Sequence, residues 1–313
     1  MNESAPNLRA PTHEPGYVAE ARRDKHQWWR YVLGMLVTLV AWLIVGSTVS
    51  LLITYAISGG LDPTALDPVA GFVVTMAGFP FFLAGLFLTM RVIHRRTLRS
   101  LVTHRARIDW TRVGQGFLVW LVLWSLGQLC RFLLDPGSFS VSGNLAALAV
   151  FVPFAVVLTA VQTTTEELFF RGYTVQTASL IWGNRIFLAV ISAVLFTLPH
   201  LANPEAAAGG WVTVFFGYFL GTGVVWAAVS LLDGTTELAI GAHFANNIAN
   251  VLLVGTSGSI VGTPALFMGD EYDPVLSAVI TTSIAVLFAL IVLGPLRRRE
   301  RSPAVAAAGE VRA

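Results

Sequence analysis

The chain has 313 residues, of which 55% are hydrophobic and only 12% charged, with a mean hydropathy of +0.69 and a net charge of +2. A soluble globular chain carries about 25% charged residues, so this composition excludes an ordinary soluble domain and points to a polytopic membrane protein. The single cysteine, Cys130, excludes an intrachain disulfide and a cysteine-based zinc site; in its apolar run it reads as a small buried packing residue.

Residues 1–27 are polar, rich in Pro, Glu and Arg, and read as a disordered cytoplasmic tail. Eight apolar segments follow, each near the ~20 residues that a span requires: 31–57, 69–91, 113–134, 145–167, 186–202, 210–232, 237–256 and 275–296. The fifth is short, and the fourth continues past its apolar part as a polar helix. No internal repeat or long linker divides the chain. The expectation is therefore an all-α polytopic membrane protein of about eight transmembrane helices, forming one membrane-embedded domain over 28–298. Residues 299–313 read as a second cytoplasmic tail.

Lys and Arg set the orientation. Five lie in the N-terminal tail, seven from Arg91 to Arg112, two at Arg171 and Arg185, and five after the last span. With eight spans these groups share one side, and Arg131 alone remains on the other, so both termini are expected in the cytoplasm. The basic 94–112 stretch reads as a loop lying against anionic headgroups, with no nucleic-acid partner. GYFLG at 217–221 reads as a close-packing GxxxG stretch. Arginine outnumbers lysine 19 to 1, which favours a bacterial source and hence the bacterial cytoplasmic membrane.

Polar residues inside the apolar segments carry the chemistry, because a charge at membrane depth costs on the order of 2.5 kcal/mol or more. Glu166 and Glu167 form the one acidic pair beside a span core. Of six histidines, solvent accounts for His13, His26, His94 and His104, while His200 and His243 lie within spans. Residues four apart share a helix face, so Glu167 and Arg171 are expected to pair, leaving Glu166 rotated by about 100° to face elsewhere. The same spacing joins His243 to Asn247 and sets Phe196 against His200. Asn246 and Asn250 read as interhelical hydrogen-bonding residues. A 4–5 hairpin turning at Gly183–Asn184 brings Glu166 and His200 to nearly equal depth.

Three ordered motifs, E-E-x-x-x-R (Glu166, Glu167, Arg171), F-x-x-x-H (Phe196, His200) and H-x-x-x-N (His243, Asn247), resemble the CAAX protease and bacteriocin-processing family. That family comprises intramembrane endopeptidases and includes the Ras-converting type. The motifs occupy a core over 145–255. The resemblance implies peptide hydrolysis by a glutamate-activated water in a cavity open to the cytoplasm, on a membrane-associated or C-terminal peptide segment. Glu166 would be the general base and His200 would position the water. His243 and Asn247 would stabilise the oxyanion, with Glu167, Arg171 and Phe196 in support. No cofactor is expected, because H-E-x-x-H is absent; zinc held by Glu166, His200 and His243 is the alternative. Membrane lipid and a peptide or protein substrate are the partners implied, and oligomeric state is left open. Two rival readings stand: a non-proteolytic immunity or scaffold protein that keeps the motifs, and a proton-coupled transporter, against which the lack of an inverted repeat argues.

Overall fold

Backbone in lipid must satisfy its hydrogen bonds internally, and each of the eight apolar segments does so as a helix. The computed structural model describes residues 16–141, 145–256, 263–269 and 273–297. The helices are α1 (Trp28–Ser58), α2 (Pro68–His94), α3 (Trp110–Leu134), α4 (Leu145–Ser179), α5 (Arg185–His200), α6 (Pro204–Asp233), α7 (Glu237–Leu252) and α8 (Pro274–Leu293). Six of these are long and apolar enough to cross a membrane. α5 and α7 have 16 residues each, or ~24 Å at 1.5 Å per residue, against a hydrocarbon thickness of ~30 Å. The chain is a mostly helical, multi-pass membrane protein, with large apolar side chains such as Leu33, Leu52, Val122 and Leu290 facing outward.

The helix starts follow from local chemistry. Asp67 and Asp273 each accept two backbone N–H bonds and are followed by proline at the first helical position, opening α2 and α8. Asn184 caps α5 in the same way, through the Ile186 and Phe187 N–H groups. α6 is kinked at Gly210, whose φ of 53° suits a residue without Cβ. α4 continues to Ser179 as the polar extension expected, and from Glu167 to Thr174 it widens to π-helical geometry.

Several expectations are corrected. A small sheet of order β1-β3-β2 interrupts the all-α pattern: β1 (Phe139–Val141) pairs antiparallel to β3 (Phe267–Gly269), and β2 (Val254–Thr256) pairs parallel to it. Within the stretch read as a tail, Gly16–Ala19 is helical and Tyr17, Val18 and Ala21 are fully buried; Tyr17 and Val18 belong to an apolar cluster with residues of α4, α5 and α6, and Ala21 to one that includes Tyr31. Residues 1–15 and 299–313 lie outside the described residues. Cys130 is exposed rather than buried, on the outward face of α3. His94, assigned to solvent, is fully buried between the Lys25 carbonyl and the Tyr173 hydroxyl, each 3.0 Å away. Gly221 meets Thr281 of α8 as close packing requires, but Gly217 has only its own helix within reach.

One end of the bundle is closed by polar side chains that turn inward. Buried Arg112 pairs with Asp233, the Asp109 N–H donates to Glu237 (2.7 Å), and the Thr236 N–H donates to the Val102 carbonyl (3.0 Å). Buried Arg96 donates to Gln176 (2.7 Å), whose amide donates to the carbonyls of Tyr17 and Ser100, both at 2.8 Å. Burial, reinforced by the nearby charge of Glu167, pushes the Tyr17 hydroxyl pKa up. The expected headgroup loop thus sends two of its cations, Arg96 and Arg112, into the protein.

α3 and α7 pack along much of their length. A Cβ at Gly116 would overlap the Leu238 carbonyl, and one at Gly241 the Val113 carbonyl. Both obstacles are backbone, so neither helix can yield by a rotamer change. Gly241→Ala is accordingly expected to lower the unfolding temperature in detergent more than Gly114→Ala, whose added methyl group meets open space.

Candidate active site

The midpoint of the bundle holds a buried polar cluster. Glu166, Glu167 and Arg171 come from α4 and His243 from α7; all are at least 96% buried. Arg171 Nη1 donates to Glu167 Oε1 at 2.9 Å and its Nη2 donates to the Thr222 carbonyl at 2.8 Å. The guanidinium lies 4.0 Å from the centroid of the Phe196 ring and 5.6 Å from that of Trp226, so aromatic faces complete its surroundings. The i,i+4 pair read from sequence is present and has no exposed side-chain surface.

Glu166 does not turn away from that pair. His243 Nδ1 is 2.7 Å from Glu167 Oε1, and its Nε2 is 3.4 Å from Glu166 Oε2. The π-helical widening at Glu167 lets adjacent carboxylates flank one imidazole.

Sequence reasoning missed Gln162, one turn before Glu166. Its amide donates to Glu166 Oε1 at 3.2 Å, and its carbonyl accepts from Asn247 Nδ2 at 3.0 Å. Asn247 therefore joins the cluster through Gln162. The i,i+4 spacing of Q-x-x-x-E was the available signal. Asn247 also accepts from Asn246 (3.0 Å), which in turn accepts from Trp120 Nε1 (3.2 Å); Trp124 donates to Asn250 at 3.3 Å. Asn246 and Asn250 thus act as interhelical hydrogen-bonding residues, as expected.

His200 closes the constellation. A bond from Ser192 Oγ to the Phe170 carbonyl (2.9 Å) registers α5 on α4. Four residues on, the Phe196 ring lies against that of Phe170 (centroids 5.5 Å apart) and beside the Arg171 guanidinium, and His200 is one turn beyond. Its Nδ1 is 2.7 Å from the Phe196 carbonyl. Since a carbonyl only accepts, Nδ1 carries the hydrogen, leaving the neutral ring's Nε2 as an acceptor. Phe196 touches both histidines, with ring centroids 4.5 Å from His200 and 5.9 Å from His243.

A cavity of about 420 Å³ adjoins this cluster, lined by Gln162, His200, His243 and Asn247 at its inner end. It extends past Trp124 and Gln128 to Arg131, Asn203 and Glu205. The basic end is filled by Tyr17, Tyr173 and Leu101, all fully buried. Among the described residues no group of three or more His, Cys, Asp or Glu side chains is placed to hold a metal ion.

Residues 147–249, which include every residue of the cluster, match the family model "Type II CAAX prenyl endopeptidase Rce1-like". The chain is 30% identical over 276 residues to the Bacillus subtilis (strain 168) "Uncharacterized protein YyaK", which covers 85% of this chain and 91% of that protein. No solved structure matches it.

The cluster's charge balance has a measurable consequence. Arg171→Met leaves Glu167 buried without its cation and is expected to cost about 3–5 kcal/mol, seen as a lower unfolding temperature in detergent. The double variant Arg171→Met, Glu167→Gln should recover part of that loss.

Proposed function

Because the chain belongs to the family of Rce1-like type II CAAX prenyl endopeptidases, we propose that it hydrolyses peptide bonds within the membrane with a water activated by Glu166. The observation that carries this reading is the contact of His243 Nε2 with Glu166 Oε2 at 3.4 Å, at the inner end of a cavity that polar side chains line. Glu166 Oε1 accepts from Gln162, while Oε2 faces His243 Nε2 at 3.4 Å without a formed hydrogen bond, and Oε2 is the oxygen we assign to take a proton from water.

The reaction then runs on groups already in place. Glu166 removes a proton as the water oxygen adds to the scissile carbonyl, with His200 Nε2 accepting the water's other hydrogen to orient it. His243 donates to the developing oxyanion, and the Asn247 amide contributes a second donor. The proton on Glu166 passes to the leaving nitrogen, the C–N bond breaks, and a carboxylic acid and an amine result. Gln162 and the Glu167–Arg171 pair position the base and the imidazole. The scheme uses no metal.

We place the protein in a bacterial cytoplasmic membrane, with eight helices in the bilayer and both termini in the cytoplasm. The arginine-rich sequence, the Bacillus relative and the gathering of Lys and Arg at one end support this. The substrate class is a membrane-associated peptide segment, CAAX-type or a bacterial equivalent.

Reconstituted protein assayed on fluorogenic membrane peptides is expected to lose roughly a hundredfold or more of its activity on Glu166→Gln and on Glu166→Ala. Cleavage that survives both changes would sink the mechanism. Activity should also persist after chelation; a loss that zinc restores would overturn the metal-free scheme.

A further inference from the structure

We infer that Tyr17, carried on the Gly16–Ala19 turn, is a positioning residue of the proposed active site: through one buried water its hydroxyl serves the free oxygen of Glu167, the carboxylate that aims His243. This deepens the proposed function and rests on it for the reaction, while the contact itself does not depend on that reading.

Three helices place the side chain. Arg171 is enclosed by Glu167 of its own helix, by Phe196 of α5 and by the Thr222 carbonyl of α6. Tyr17, with no exposed surface, belongs to the apolar cluster that includes Val175, Ala189 and Ala227 of the same three helices. Val175 follows Arg171 and Ala227 follows Thr222, whereas Ala189 precedes Phe196 on a helix that runs the opposite way. Each is therefore about one to two turns nearer the basic end than its counterpart around the guanidinium. Gln176 Nε2 donates to the Tyr17 carbonyl at 2.8 Å, and Arg22 Nη2 donates to the Ser179 carbonyl at 2.8 Å, which anchors the segment on α4. The Tyr17 ring thus occupies the shaft beneath Arg171.

The polar atoms left over match one another. The Tyr17 hydroxyl, Arg171 Nε and Glu167 Oε2 are all buried, and none makes a hydrogen bond among the described residues. Nε only donates, a carboxylate oxygen only accepts, and a phenol can donate. Buried polar atoms are as a rule satisfied by protein or by ordered water, and a buried water makes about three hydrogen bonds. One water that accepts from the hydroxyl and from Nε and donates to Oε2 satisfies all three. Electrostatics supports their proximity. Burial pushes the phenol pKa up, Glu167 raises it further and Arg171 opposes, so both charges reach the hydroxyl and it stays protonated.

The consequence falls on His243. Glu167 Oε1 accepts from Arg171 Nη1 at 2.9 Å and lies 2.7 Å from His243 Nδ1. The last torsion of a glutamate is broad and two-fold, and with Oε2 unheld a turn about it would carry Oε1 off the imidazole. A donor on Oε2 opposes that turn. Tyr17 touches neither substrate nor the attacking water; it acts through Glu167 on the ring that faces them.

Two variants of this turn separate positioning from packing. Tyr17→Phe removes the oxygen and keeps the ring, whereas Val18→Ala trims a fully buried apolar neighbour and keeps the hydroxyl. In full-length protein, Tyr17→Phe is expected to lower kcat about tenfold, the worth of one hydrogen bond to a charged group, with KM little changed. The His243 Nδ1 proton, followed by NMR in protein carrying isotope-labelled histidine and assigned by its loss in His243→Gln, should shift in Tyr17→Phe and hold its place in Val18→Ala. A resonance that Tyr17→Phe leaves unmoved would overturn the proposal, and so would an equal fall of kcat in Val18→Ala. Since the resonance is read without substrate, a protein that cleaves no peptide would defeat the proposed reaction alone, and the shift would still decide the role of Tyr17.

Discussion

Arg171 is a cation with no exposed surface in the middle of an apolar bundle, and much of the central architecture serves its neutrality. One carboxylate, one backbone carbonyl and two aromatic faces surround it. Those partners come from α4, α5 and α6, so the cation ties three helices together. Glu167, held by Arg171, in turn orients His243 from α7 through Nδ1. The imidazole is therefore set from behind by a group away from the cavity, and only Nε2 is left to act. Glu166 reaches that nitrogen because the helix widens between the two glutamates.

Much of this was legible in the residues. Apolar runs placed all eight helices within a few positions of where they stand, because hydrocarbon length and turn chemistry leave little freedom. The i,i+4 rule gave the Glu167–Arg171 pair and the stacking of Phe196 on His200. It failed for Glu166, since a rotation of 100° per residue assumes α-helical geometry, and the chain is π-helical from Glu167. Periodicity also says nothing of which helices meet. The joining of Asn247 to Glu166 through Gln162, and the small sheet formed by three segments far apart in sequence, depend on contacts that no local pattern encodes. Tyr17 escaped notice because a short apolar turn within a polar stretch has the composition of a tail.

The two ends of the molecule answer opposite physical demands. A hydrolase in lipid needs water at a buried carboxylate, and the Asn and Trp side chains of α3 and α7 provide a wettable wall. They do so without breaking helix packing, since each indole N–H is matched to an amide oxygen across the crossing. At the basic end, cations that would ordinarily sit at headgroups are drawn inward as bonding partners, giving a rigid floor beneath the site. The polar cluster is thus held from the floor, with the cavity adjoining it on the other side.

The buried turn at Tyr17 also has a consequence for biogenesis. Its carbonyl is bonded by Gln176, 159 residues later in the chain. At about 5–20 residues per second, the ribosome needs roughly ten seconds or more between making the two. The first three helices must therefore enter the membrane while this turn is still undocked, and the floor closes only after α4 has emerged. The turn at Tyr17 is thus made early and docked late, a lock on helices already in place.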